Sequence, residues 1–190
     1  EPRLYGLYVP HESQDDLPVL DTGRPDFTFL QLFTTNRFNG ADRLFPDIFA
    51  VMHALHPVEL RFAIAIDSLD TPIDPEQAIG MDGPAFHHAR DLLEQMKRDN
   101  RTLAIAGPPD KDGLLGAALG LFNHQLRKWR PNRLEVLRLQ LQGWEATPIA
   151  QHLAITEQSV YKNIREGGLE PAIQLIQALT RRLNLALGAA

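Results

Sequence analysis

The sequence predicts an α/β (α+β) protein in two parts, a sheet domain followed by a small all-helical module. Three observations predict it. Residues 59–67 alternate, with Leu60, Phe62, Ile64 and Ile66 on one side and Arg61, Ala63 and Ala65 on the other, the period of a strand. Residues 84–98 then place Ala85, Ala89, Leu92, Leu93 and Met96 at helical spacing, and a short apolar run follows at 103–106. From Arg133 onward the apolar residues recur only at helical intervals.

Residues 3–9, rich in Tyr, Leu and Val, are expected to form a first strand. Residues 11–26 hold two Pro, one Gly and five acidic residues without a period, and read as a loop. Residues 27–38 are dense in Phe, Leu and Thr and predict a strand or hairpin. Leu44, Ile48, Val51, Met52 and Leu55 predict a helix within 41–55, with Pro46 tolerable only in its first turn. After the strand at 59–67, Pro72, Pro75 and Gly80 mark 70–81 as a loop. Pro84 suits an early position of the next helix. Residues 107–112 read as a turn and 114–129 as a helix. Gly116 and Gly120, four apart, are expected to let that helix lie tightly on a neighbour. Helices are then expected at 133–141, 147–153, 157–165 and 171–187. The last carries a stripe of Ile173, Ile176, Leu179, Leu183 and Leu187 that suits a buried face or a dimer seam. The domains are expected at 1–112, for sensing or dimerisation, and at 131–190, with 113–130 as a connecting helix.

The chain has 190 residues, 44% hydrophobic and 23% charged, the composition of a globular protein. It has no cysteine, which excludes disulfides, thiolate metal ligands and a cysteine nucleophile. No apolar run reaches membrane-spanning length and no signal-peptide pattern opens the chain, so a cytoplasmic protein without a membrane partner is expected. The net charge of −5, taken alone, disfavours nucleic acid, but the charge is unevenly spread. From Leu121 onward nine Lys/Arg face five Asp/Glu, or +4, leaving −9 for residues 1–120. An acidic body carrying a basic binding module has this asymmetry.

That basic segment holds the strongest motif. Residues 148–165 have the pattern of a helix-turn-helix. Ala150 is the small residue where two helices cross, and Ile149, Leu153, Ile155, Val160 and Ile164 face a core. Thr156 is a helix-start signal, and Ala154 stands at a turn position often held by Gly. Thr156, Gln158, Ser159, Tyr161, Lys162 and Arg165 are the candidates for DNA contact on the second helix. Arg130 and Arg133 join them on the helix expected to cross the DNA backbone. Double-stranded DNA is thus the expected partner, read as a homodimer. A small helical bundle that binds only protein has similar spacing and is the alternative.

Residues 61–66 (Arg-Phe-Ala-Ile-Ala-Ile) and 79–90 (Ile-Gly-Met-Asp-Gly-Pro-Ala-Phe-His-His-Ala-Arg) resemble the SatD family of small bacterial proteins. That family shows an RFGIGIG-type strand and then a G-x-DGPA-[YF]-x-x-AR helix start. Ala63, Ala65 and Asp67 stand where the family usually carries Gly. The helix-turn-helix beyond Trp129 also resembles the family's C-terminal arrangement. The resemblance implies a ferredoxin-like or nucleotidyl-cyclase/GGDEF-like first domain. In place of the family's GDEFQG-like motif stands Thr35-Asn36-Arg37-Phe38-Asn39-Gly40. An amide and a guanidinium cannot hold Mg²⁺ as carboxylates do, so the resemblance implies a degenerate, catalytically inactive domain.

No catalytic residue, cofactor or metal site is expected, and the chain is not expected to be an enzyme. Ser13, Ser68 and Ser159 lack a nucleophile-elbow context. Neighbouring His87 and His88 diverge on a helix and cannot chelate one ion. The helix start at Asp82 and Gly83, with Arg90 two turns on, could face an anion, a bound nucleotide or phosphate, and a small-molecule effector is a further candidate partner. A structural turn linking a strand to a packed helix is the favoured reading of that motif. The alternative function is a metal-free nucleotide-binding or adaptor protein whose helical module binds protein.

Overall fold

The computed structural model describes residues 5–10, 27–32, 41–67, 70, 83–108 and 110–188. Among them lie strands β1 (Tyr5–Pro10), β2 (Phe27–Leu32), β3 (Arg61–Ala65) and β4 (Leu103–Ala106). The helices are α1 (Leu44–Ala54), α2 (Pro84–Asp99), α3 (Leu114–Leu126), α4 (Pro131–Leu141), α5 (Ala146–His152), α6 (Glu157–Gly167) and α7 (Leu169–Leu187). The fold is mixed and mostly helical. Its sheet has the order β2-β1-β3-β4, with β1 antiparallel to β2 and β3, and β3 parallel to β4. A parallel pair needs a crossover, which α2 provides between β3 and β4.

The alternation in β3 has a different meaning from the one-sided strand that such a pattern suggests. Phe62 and Ile64 are buried in the main core with Phe45, Phe49, Leu115, Leu119 and Phe122. Ala63 and Ala65 on the other face are buried just as deeply, with Ala104, against Ala89, Leu93 and Met96. The strand is covered on both sides, as a βαβ sheet requires. The small residues mark where α2 approaches closely. They are not a solvent-facing row.

Helix α3 corrects a second expectation. It ends at Leu126, and its packed face is Leu115, Leu119, Phe122, Asn123 and Leu126. Gly116 and Gly120 are exposed, and a Cβ at Gly120 would meet nothing within 4 Å. The bulky side chains on the opposite face win the packing because they bury more apolar area. Trp129, expected to mark the entrance to a second module, is itself buried. Its ring meets Phe122 edge-on at 5.8 Å, and Phe122 meets Phe49 at 6.4 Å.

Asn123 is one of two buried polar residues among those described, and all four of its polar contacts serve backbone groups. Its Oδ1 accepts from Thr102 N (2.7 Å) and Leu103 N (2.8 Å), and its Nδ2 donates to Leu103 O and Leu119 O (both 2.7 Å). The carboxamide thus stands in for a further strand beside β4 and ties that edge to α3.

The main hydrophobic cluster continues without a break into the C-terminal helices, through Leu134, Val136, Leu137, Leu139, Ile149, Val160, Leu169, Ile176, Leu179 and Leu183. Helix α4 lies at its centre, packed against α1, α6 and α7. The stripe on α7 is spent on this core: Ile176, Leu179 and Leu183 are buried within the chain. Asn184 near the end of α7 accepts from the Ala41 backbone N–H and donates to Asp42 at 3.4 Å, joining the last helix to the start of α1. No helix among the described residues is long and apolar enough to cross a membrane.

Candidate nucleic-acid interface

Helices α5 and α6 form a short hairpin whose turn is fixed by the backbone. Helix α5 closes at Leu153, after which Ala154 N donates to Gln151 O (3.3 Å) and Ile155 N to Ala150 O (3.0 Å). These are the paired bonds of a Schellman closure, which places one residue in the left-handed region. That residue is Ala154, at φ 52°, a conformation in which glycine is unstrained and alanine is not. Ile155 then turns back against the core.

The next helix starts at Thr156, whose hydroxyl accepts from Ser159 N at 3.1 Å. Ser159 Oγ lies 2.9 Å from the same hydroxyl. Thr156 and Ser159, both expected at a DNA surface, are thereby engaged in capping α6. Thr147 Oγ1 donates to Glu157 at 2.8 Å and ties the two helices together at their starts.

Helix α6 is divided cleanly. Val160 and Gly167 are buried and Ile164 packs on the core, whereas Gln158, Tyr161, Lys162 and Arg165 are exposed. These four follow the i, i+3, i+4, i+7 spacing of one helix face. Tyr161 leaves 59% of its surface in solvent, unusual for so large a ring. Arg165 borders a shallow groove with Tyr161 and Glu170.

Arg130 and Arg133 part company. Arg130 is exposed at the N-cap of α4, and its carbonyl accepts the Arg133 and Leu134 N–H groups. Arg133 turns inward: only 20% of its side chain is exposed, Nε donates to Asn163 at 3.3 Å, and the guanidinium lies 4.0 Å from Glu166. Both partners are on α6, so Arg133 holds that helix in place. The passage is narrow. A Cβ on Gly167 would lie 2.6 Å from Arg133 Cδ, so a side chain there would push the arginine away.

A second polar cluster, which the periodicity gave no reason to expect, lies behind the hairpin. Glu135 of α4 is 5% exposed and accepts from Arg138 Nε at 2.8 Å, with a second bond from the same guanidinium. His53 of α1 lies 3.9 Å from its carboxylate and His152 of α5 3.8 Å. The Arg138 hydrogen bonds hold the Glu135 carboxyl below the usual carboxylate range, against the opposing effect of burial. One carboxylate thus meets side chains from α1, α4 and α5. The signal in the sequence is the helix's lone acidic residue, Glu135, set between the apolar Leu134 and Val136.

The remaining expected sites lie elsewhere. Gly83 is buried at the N-cap of α2, Arg90 is exposed further along that helix, and Asp82 lies outside the described residues. His87 and His88 are both exposed, and His88 Nδ1 pairs with Asp67 at 3.0 Å. No group of three His, Cys, Asp or Glu among the described residues could hold a metal ion. Asn36 and Arg37 lie outside the described residues.

Comparison with known proteins divides the chain. A family model described as SatD matches residues 34–174, and one described as LPS transport system D matches residues 1–47. The N-terminal similarity recurs in individual proteins named LPS-assembly protein LptD. That of Pseudomonas fluorescens is 57% identical over 44 residues, covering 23% of this chain and 5% of that protein. Those of Thiobacillus denitrificans and Methylococcus capsulatus are 52% and 57% identical over the same length, covering 6% and 4% of those proteins. The chain's match spans about a twentieth of the length of these curated relatives. No solved structure matches.

Proposed function

We propose that this chain, which belongs to the SatD family, binds double-stranded DNA through a helix-turn-helix formed by α5 and α6. The observation that carries the reading is the exposed row Gln158, Tyr161, Lys162 and Arg165 on a helix whose other face is locked into the core. Lys162 and Arg165 supply the charge for phosphate or guanine, and Gln158 and Tyr161 the hydrogen-bonding groups for base edges or phosphates. Arg130, exposed at the start of α4, adds a backbone contact, while Arg133 acts indirectly by positioning α6. The capped start of α6 and its ties to Thr147 and Arg133 favour a preorganised helix, as groove insertion requires. The part before α3 serves in this reading as a non-catalytic sensing or dimerisation unit.

The LptD-like segment bears on that last point. The two matches overlap at residues 34–47, and Asn36 and Arg37 fall inside the overlap. Their identities therefore follow the LptD-like sequence as readily as a decayed cyclase-type motif.

The test is fluorescence anisotropy on mixed-sequence duplex DNA at low and moderate salt. Wild-type protein is expected to bind, more weakly as salt rises. The Lys162→Glu/Arg165→Glu double variant is expected to lose about two orders of magnitude in affinity, each reversal removing an attraction and adding a repulsion. A folded double variant that binds as wild type does would refute the assignment of α6.

A further inference from the structure

At the end of the sheet where β3 and β4 begin lies a cavity of about 260 Å³. Arg61, Arg101 and Arg127 all line it, against one carboxylate, Glu59, with Leu60 and Leu126 as apolar wall. The arginines come from three separate places in the sequence: the first residue of β3, the turn between α2 and β4, and the C-cap of α3. The walls are firmly built. Asn100 takes a left-handed backbone (φ 53°) to close α2, Arg101 N donates to Met96 O at 2.9 Å, and Thr102 N is held by the buried Asn123. Arg127 Nη1 reaches back to Asn100 O at 3.4 Å.

One of the residues that line this cavity carries an unsatisfied group. Arg61 Nε is buried and has no hydrogen-bond partner among the described residues. A buried donor without an acceptor costs on the scale of a lost hydrogen bond, more so when it belongs to a cation. Three arginines against a single lining carboxylate also leave the cavity wall positively charged. Arg101 has an acidic neighbour of its own, Asp99 at 3.3 Å.

We infer that this cavity binds a small phosphate monoester. Guanidinium forks match the oxygen geometry of phosphate, and its negative charge answers the one arginine charge that Glu59 and Asp99 leave in excess. The volume admits the phosphate with a sugar-sized remainder, and Glu59, in the same lining, offers a hydroxyl acceptor. The site lies at the far end of α2 from the Gly83 helix start, about 24 Å away along a helix of sixteen residues. It is also separate from α6, so it stands whether or not that helix reads DNA. Its position has a consequence: Arg127 immediately precedes Lys128 and the buried Trp129, so the ligand would bear on the segment leading into α4.

The experiment is calorimetric titration of the full chain with ribose 5-phosphate, inorganic phosphate and, as a control, ribose at matched ionic strength. Saturable binding of a phosphate-bearing probe is expected, with none for ribose. Arg61→Gln and Arg127→Gln are each expected to weaken it about tenfold or more, the loss of one charge-assisted contact. Lys162→Glu/Arg165→Glu is expected to leave it unchanged. Arg127 is exposed, so its variant reports even where Arg61→Gln fails to fold. Tighter binding of the sugar phosphate than of inorganic phosphate supports the ester; equal binding overturns it in favour of a site for phosphate alone. No saturable binding of either probe at about 10 mM, well above a millimolar Kd, overturns the inference. So does binding that survives Arg127→Gln. Displacement of the sugar phosphate by duplex DNA, with loss of DNA affinity in Arg127→Gln, would instead make the arginines part of a nucleic-acid surface and equally overturn it.

Discussion

Asn123 shows how much one side chain decides. Its carboxamide satisfies two N–H groups and one C=O at the edge of β4 and a further C=O inside α3, with nothing left over. Replacing it by alanine would strand buried backbone groups of Thr102 and Leu103 where water cannot readily reach them. Asn123→Ala is expected to cost about 3 kcal/mol in chemical denaturation. It should also raise amide exchange at Thr102 and Leu103 selectively. An Asn123→Ala protein as stable as wild type would mean that β4 does not depend on this clamp. Nothing in the sequence pattern announces the role, because an Asn inside a helix reads as a solvated position until the neighbouring strand is in place.

At the scale of elements, the α5–α6 turn is where local sequence and local structure disagree. The closure demands a left-handed residue, and the chain supplies Ala154. Ala154→Gly is expected to stabilise the protein by about 0.5–1 kcal/mol, the relief of left-handed strain less the extra backbone entropy of glycine. A lower denaturation midpoint in that variant would contradict the strained turn. The hairpin is otherwise legible: Ile149, Leu153, Ile155, Val160 and Ile164 all pack on the core, as their spacing implies. The strands 61–65 and 103–106 and the helix following Pro84 are legible for the same reason, since each buries a periodic face. The dual burial of β3 is not. Alanine on the second face fits either solvent or a close-packed helix, and only the docking of α2 distinguishes them. The glycines of α3 mislead in the opposite sense, because small residues permit close packing without causing it.

The whole molecule is tied together at Glu135, where α1, α4 and α5 meet around one carboxylate. Its pKa is lowered on folding, chiefly by Arg138. A depressed carboxyl contributes stability that is fully present above its unfolded pKa, about 4.3, and lost as pH falls through the folded value. The wild-type protein is therefore expected to lose stability steadily below about pH 5. Glu135→Gln should be less stable at neutral pH, by about 3 kcal/mol because Arg138 is left without its anion, and should show a shallower acid limb. Thermal unfolding followed by circular dichroism across that range checks both. Parallel acid limbs in the two proteins would show that Glu135 is not the group responsible.

Sequence alone settles whatever depends on neighbours along the chain. The helix and strand periods, the Thr156 cap, the Pro84 start, the acidic-to-basic charge asymmetry and the polar face of α6 are all local, and all can be read from spacing. Which of those faces meet is settled by the assembled fold. It turns Arg133 inward to hold α6 and takes the α7 stripe into the core. It also buries Trp129 against Phe122 and gathers Arg61, Arg101 and Arg127 around one cavity. The physical reason is that a side chain's partner is set by burial and hydrogen-bond satisfaction across elements far apart in sequence. Periodicity fixes which way a face points along its own element, and carries no record of what comes to lie against it.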